Sequence, residues 1–517
     1  MLVVYCGLQT FCISKLSVGY DEGLFSSYGA SILKFKKEKD ILLYESKLPI
    51  TALNMIPRAV EQVINPGLTK TYDAAQADII NGRYVSLLAS VFLGWLIFWW
   101  SGKLYGPRTG LFSLLFYLLC PNFLAHGIFV SSDIFACLFM TLSIYFLWRF
   151  CIERKNRFFI LMAVATGMAE ISKFSMIHLF ILFPLLLLVF RVGSKQEPGA
   201  LQFFSAKKIL GYAAVFLFIN WLLISCAHFF YQVFQPLNHY AFMSGPYQNL
   251  QHLLPWLPVP LPSSYISSMD AVIYFDHLGG GVKNSLNGPI YILGETSEKG
   301  FWYYYFVALF FKVPIPVLII WLSSILLLFR NFNKHFFFSN ELFLVLPAIY
   351  FLIYMNFFYS TQVGIRHLLV IFPVLHIFSG RFISKLFEWK KTFILYTLVG
   401  WAIISVGSYF PHFLPYTNEF IWNKKMAYKK LADSNLCYGE GRKFLSEYLE
   451  KNKDAIVLPE KPVAGKIVME VNEMLNKDIK TMGKYDWVTS LTPVDHIHSQ
   501  YLVFDVKQSF IDSLNKK

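Results

Sequence analysis

Two adjacent acids, Asp21 and Glu22, follow the first apolar segment within Gly19-Tyr20-Asp21-Glu22-Gly23. A carboxylate at a membrane surface can take a proton from an attacking hydroxyl or hold a metal ion. The same pentapeptide also reads as a helix start, with Asp21 as N-cap of a helix over Glu22–Phe35. Further ionisable residues stand at helix ends on the side of this pair: Arg83, His126, Asp133, Lys173, Glu295, Lys312, Arg366 and His367. Such a group at membrane depth is costly and marks a site by default, although long side chains at helix ends also reach for water. One arrangement uses the whole set: cations for a lipid phosphate, carboxylates for acceptor activation. His126 and Asp133 flank the turn Gly127–Ser132; for His126, a hydrogen-bonded structural histidine is the competing account.

The elements that position these residues are apolar helices. Of 517 residues 56% are hydrophobic and 18% aromatic, and mean hydropathy is +0.47, which no soluble domain requires. Apolar runs at Tyr84–Trp100, Leu111–Leu124, Ile134–Trp148, Phe158–Ile171, Phe174–Phe190, Ile209–Phe230, Phe301–Phe329, Leu342–Phe358, Leu368–Phe378 and Phe393–Tyr409 join a short N-terminal segment, giving about eleven transmembrane helices. Met1–Ser14 lacks a basic start and a small-residue cleavage site, so it reads as a short spanning helix rather than a signal peptide.

The formal net charge of +14 comes from basic residues in alternate short loops. These hold Lys103 and Arg108, then Arg149 to Arg157, then Arg191, Lys195, Lys207 and Lys208, then Arg330 and Lys334, and last Arg381 to Lys391. The opposite short loops hold only Lys173 and Arg366. The basic set is therefore cytoplasmic, and nucleic acid is disfavoured as a partner. Loops 15–80 and 231–300 and the tail 411–517 are expected outside. The first loop carries amphipathic stretches at Gly23–Phe35 and Leu48–Ile64. The second, with Pro255 to Pro262 and Gly279-Gly280-Gly281, reads as an irregular lid. The tail combines a helical piece, Ala427–Lys451, with strand-like pieces at Gly465–Val471 and Tyr501–Val506. The seven cysteines form no metal or disulfide pattern.

Ordered motifs run along the chain: Tyr20-Asp21-Glu22; Asn81-Gly82-Arg83; Pro121-Asn122-Phe123-Leu124-Ala125-His126-Gly127 with Ser132-Asp133; and Ile171-Ser172-Lys173-Phe174. Then come Tyr291-Ile292-Leu293-Gly294-Glu295 with Gly300-Phe301-Trp302-Tyr303-Tyr304; Phe311-Lys312-Val313-Pro314; Gly364-Ile365-Arg366-His367; Leu414-Pro415-Tyr416-Thr417-Asn418-Glu419; and Asp433-Ser434-Asn435-Leu436. In this series the chain resembles GT-C glycosyltransferases of the protein O-mannosyltransferase type, glycosyltransferase family 39, bacterial branch. The resemblance implies an α-helical polytopic membrane protein, with residues 1–410 a transmembrane GT-C domain and 411–517 a small extracytoplasmic α/β domain. It implies an inverting transferase that moves a sugar from a polyprenyl-phosphate carrier to a protein, lipid or glycan hydroxyl outside the cytoplasmic (inner) membrane. By the same match Asp21 is catalytic with Glu22 beside it, Asp133 belongs to the acidic site, and Arg83, Lys173 and Arg366 take the carrier phosphate. His126, Glu295, Trp302 and Lys312 belong to the substrate loops. A divalent metal ion is the one cofactor this chemistry admits.

Two motifs depart from the family pattern. Lys47-Leu48-Pro49-Ile50 stands for His-Pro-Pro-Leu, and Cys437-Tyr438-Gly439-Glu440 for Asp-Trp-Gly-Gln. Rival readings are a transporter or flippase, which would place charges near the bilayer midplane in related halves, and a sensor whose tail is the ligand site.

Overall fold

The structure is a computed structural model that describes residues 1–39, 47–67, 72–193, 206–280, 288–477 and 482–514. Lys195 and Gly281 lie outside the described residues. The chain is mostly helical, as its apolar runs demand in a medium where each backbone group must bond internally. Against an expectation of about eleven spans, six helices among the described residues are long and apolar enough to cross a membrane. They are Gln76–Tyr105, Asp133–Glu153, Phe174–Gly193, Lys207–Ala227, Lys334–Phe357 and Ile365–Glu388. Leu2–Lys15 and Thr392–Gly407 are apolar but shorter.

Proline accounts for part of the difference. The run Leu111–Leu124 is divided at Pro121 into helices Pro107–Leu118 and Pro121–His126, with Cys120 extended between them. The run Phe301–Phe329 breaks at Val313-Pro314 into Tyr304–Lys312 and Ile315–Arg330, which meet at 119° and raise the count to seven if taken as one bent span. The break frees carbonyls, and the tail satisfies them: Asn418 Nδ2 donates to Phe310 O at 2.5 Å and Val313 O at 2.9 Å.

The first loop folds as expected into helix Glu22–Leu33, then a 3-10 turn Pro49–Met55 and helix Ile56–Ile64. The second loop is more regular than its composition indicates, with helices Gly245–Leu253 and Ser263–Leu278. The buried face of the latter is partly polar, so no apolar stripe announced it: Ser268 accepts from Lys39 Nζ at 2.7 Å, and Asp270 accepts from the Met243 and Ser244 amides.

The tail holds a four-stranded sheet in the order Ile456–Val457, Gly465–Glu470, Tyr501–Val506, Asp495–Ile497. The two pieces read as strands pair antiparallel, from Gly465 opposite Val506 to Glu470 opposite Tyr501. The helical piece is shorter than expected: helix Arg442–Lys451 follows only after left-handed residues at Asp433 and Gly439, which interrupt the periodicity. Apolar packing runs without a gap from the helices into this sheet.

Candidate functional site

The site is assembled on the segment 359–367. Gly364 has φ +133°, and a Cβ there would lie 2.3 Å from Ser434 Oγ, so glycine lets the tail approach. Ser434 Oγ donates to Val363 O, and Ile365 N donates to Asn435 Oδ1 at 2.9 Å. From the second loop, Asp276 Oδ1 accepts from Ser360 N and Thr361 N at 2.9 and 2.8 Å. Gln362 exchanges hydrogen bonds with Phe301 N and O. These contacts fix the 3-10 helix Ile365–Ile371 and thereby Arg366.

Arg366 meets the first loop. Its Nη1 and Nη2 each lie 3.2 Å from Asp21 Oδ2, and its guanidinium lies 5.1 Å from the Tyr438 ring centre. The loop is aligned by Tyr438 and Glu440, whose carbonyls accept from Tyr20 N at 2.8 Å and Ser17 N at 2.7 Å. A Cβ on Gly19 would come within 2.5 Å of the Tyr438 ring. The departed motif 437–440 is thus the wall of the first loop. Asp21 does precede helix Glu22–Leu33, but its side chain makes no capping bond. Burial raises its pKa, and Arg366, with Lys47 adding, more than reverses this, holding the carboxyl below its ordinary value.

A second pair, Lys173 Nζ and Asp133 Oδ1 at 2.5 Å, joins the start of helix Asp133–Glu153 to the turn after Asn156–Glu170. His126 is buried, and burial pushes its pKa down to about 3; Asp133 opposes the shift, while Arg366, Lys312 and Lys173 add to it. It stays neutral near pH 7, so the surrounding field is set by its neighbours.

Three expected site residues do other work. Glu22 and Arg83 bind each other: both side chains are 0% exposed, with Arg83 Nη2 to Glu22 Oε2 at 2.5 Å and Nε to Oε1 at 2.9 Å. Gly19 N and Val130 N also donate to Glu22, and Arg83 donates to Ser17 O. Glu22 has no free lone pair for an acceptor, and Arg83 spends Nε and Nη2 on Glu22 and Ser17; together they pin the loop that carries Asp21. Lys312 is likewise a clamp, donating to Leu414 O at 2.5 Å and Asn435 O at 2.7 Å from a buried position. Glu295 lies exposed on the hairpin Ile290–Ile292/Glu295–Ser297, bonded by Tyr303 OH. Trp302 is 62% exposed and stacked on Phe357, while its neighbour Phe301 bonds to Gln362.

The exposures separate the pairs. Asp21 and Arg366 are 32% and 15% exposed, and Asp133 and Lys173 are 7% and 16%. Arg366 Nε is buried with no hydrogen-bond partner among the described residues. The residues do not fit a divalent ion: among the described residues no three His, Cys, Asp or Glu side chains are grouped to hold one, and Asp21, Glu22 and Asp133 are each neutralised by a cation. Sequence reasoning missed Asp276 and Gln362, which carry no local signal, and Tyr438 and Asn435, which lay in quoted motifs without a role.

Residues 75–224 match the family model for dolichyl-phosphate-mannose-protein mannosyltransferase. The fold is similar to that of ArnT from Cupriavidus metallidurans bound to undecaprenyl phosphate, with TM-score 0.50 and 13% identity over 79% of this chain and 63% of that one. The apo form of the same protein gives TM-score 0.48 and 13% identity over 76% and 60%. An Archaeoglobus fulgidus oligosaccharyltransferase in complex with Zn and sulfate gives 0.49 and 12% over 87% and 56%. The chain thus spans 56% to 63% of the length of these solved structures. No curated protein matches the sequence.

Proposed function

We propose that this chain, a membrane protein of the GT-C glycosyltransferase fold, is an inverting transferase. It moves a sugar from a polyprenyl-phosphate carrier to an acceptor hydroxyl on a protein, lipid or glycan. We place the reaction at the outer face of the cytoplasmic membrane, with residues 411–517 on the same side as an extracytoplasmic domain. The observation that carries the reading is the Asp21–Arg366 pair. It is partly open, next to a second acid–base pair, and its guanidinium keeps one donor in reserve.

That arrangement supports a coupled use of the two residues. A carrier phosphate offers Arg366 a bidentate partner better than the single oxygen it shares on Asp21. Moving onto the phosphate, with Lys173 beside it, the guanidinium leaves Asp21 without its counter-ion, and the carboxylate becomes a stronger base. Asp21 then takes the proton of the acceptor hydroxyl as its oxygen bonds to the anomeric carbon. The bond from that carbon to the phosphate oxygen breaks on the opposite face, and the lipid phosphate leaves with the electron pair. Arg366 and Lys173 stabilise the charge that develops there.

The direct test is incubation of the purified protein with a panel of polyprenyl-phosphate sugars and mass spectrometry for hydrolysis or transfer. The family description makes the mannosyl donor the first to try. Hydrolysis or transfer of none of them would end this reading.

Replacing Arg366 or Lys173 by Met is expected to weaken affinity for polyprenyl phosphate by about 1.5–3 kcal/mol each, the range for a charged hydrogen bond. Calorimetric titration measures it, and unchanged affinity in both variants would return the two residues to structure. For orientation, Cys437 is no reporter, because it is buried between Glu470 and Gln500. Ser446 is exposed on helix Arg442–Lys451. Ser446→Cys is expected to gain maleimide label, relative to the parent protein, in cells opened only at the outer membrane; label appearing only after the inner membrane is breached would reverse the topology.

A further inference from the structure

A cavity of about 440 Å³ lies in the tail, between the end of helix Thr392–Gly407, helix Arg442–Lys451 and the strand Asp495–Ile497. None of the ion pairs described above lines it. Its size falls in the range of small-molecule sites. Two further features mark the Ser499 wall. Ser499, which lines it, is 2% exposed, and its hydroxyl has no hydrogen-bond partner among the described residues. A buried hydroxyl left unbonded is costly unless something supplies the missing partner. The turn that presents it is also strained: His498 and Ser499 both adopt left-handed backbone, φ 48° and 56°, where glycine or asparagine is usual. It is held there by Gln500 N donating to Ile497 O at 3.1 Å and Ser499 N donating to His496 Nδ1 at 3.0 Å.

The lining states what kind of ligand fits. Rings come from Tyr409, Phe444, Tyr448 and two imidazoles, His496 and His498, whose pKa burial lowers, and charge from Lys424 and Lys451 against Glu447 and Asp495. The charges balance, and Lys424 is already committed, bonding to Ser408 O at 3.0 Å and lying 3.8 Å from the centre of the Tyr409 ring. With as many acids as lysines, the wall offers no net positive charge to a phosphate or other anion. Aromatic faces beside carboxylates match a ligand with apolar C–H faces and a rim of hydroxyls. We propose that this cavity is a binding site for a neutral saccharide, separate from the Asp21 centre.

The cavity adjoins the wall of that centre. The His498 ring lies 5.4 Å from that of His412, whose Nε2 is 2.5 Å from Glu440 Oε1. Glu440 in turn accepts from Tyr438 N through its other oxygen and from Ser17 N through its carbonyl. A sugar in the tail would therefore press on residues that align the first loop.

The test is binding by the purified full-length protein in lipid nanodiscs, read by saturation-transfer NMR. The probes are neutral hexoses, an N-acetylhexosamine and their disaccharides, with inorganic phosphate and a uronic acid for comparison. At least one neutral sugar is expected to bind saturably. Binding should weaken by roughly tenfold or more in Tyr448→Ala, and measurably in Glu447→Gln, an exposed position whose change leaves the fold intact. It should persist in Asp21→Asn, so a failure of the transferase reading leaves this result standing. Absence of neutral-sugar binding, binding unaltered in both tail variants, binding lost in Asp21→Asn, or tighter binding of phosphate or uronic acid would each overturn the proposal.

Discussion

Asp21→Asn should insert, fold and bind a polyprenyl phosphate nearly as the parent protein does, yet lose about two to four orders of magnitude in turnover. The side chain makes no capping bond, so helix Glu22–Leu33 has nothing to lose when the charge is removed. The amide keeps an oxygen for Arg366 but cannot take a proton from a hydroxyl. Single-turnover transfer at saturating donor is the measurement, since it separates chemistry from binding. Near-normal transfer would move the search for a base to Asp133. The pH dependence carries a sign. Arg366 holds the Asp21 carboxyl below the ordinary value of about 3.9, so the pair is intact at and above that pH and is lost only as pH falls through the depressed folded value. Donor binding should therefore show no acid limb from Asp21 between pH 5 and pH 8, by roughly the same reckoning.

Breaking the Glu22–Arg83 pair should instead cost the fold. Arg83→Met leaves a carboxylate with no exposure facing only two backbone amides, Gly19 N and Val130 N. Removing one partner of such a pair typically costs about 3–5 kcal/mol, a large share of the stability of most domains. Glu22→Gln should do similar damage, because it removes the counter-charge of Arg83 and turns one acceptor into an NH2 that faces a backbone N–H. Thermal unfolding in detergent and protease resistance in membranes are the readouts. The double variant Glu22→Leu with Arg83→Met should recover part of the loss, because an apolar pair of similar volume needs no desolvation. A stable Arg83→Met protein that has lost donor affinity would put Arg83 back among the phosphate ligands.

These expectations divide along what each kind of information can reach. Hydropathy and the placement of lysine and arginine are properties of consecutive residues, so the membrane class and the first-loop acids follow from the sequence. Gly465–Glu470 and Tyr501–Val506 were legible as strands for the same reason. The second-loop helix Ser263–Leu278 was not, because its buried face carries Ser268 and Asp270 rather than an apolar stripe.

The roles of the charged residues were decided by tertiary structure. Asp21 and Glu22 are neighbours, yet Asp21 pairs across 345 residues with Arg366 at a partly open position, and Glu22 across 61 with Arg83 where no water reaches. Arg83, Lys173, Lys312 and Arg366 look alike as cations at helix ends. Only folding shows that Arg83 and Lys312 are consumed by internal acceptors, whereas Arg366 retains an unpaired donor. The reason is that a charge's availability depends on the partners within about 3 Å and on access to solvent. Residue type and local spacing carry neither, because the partners come from distant parts of the chain.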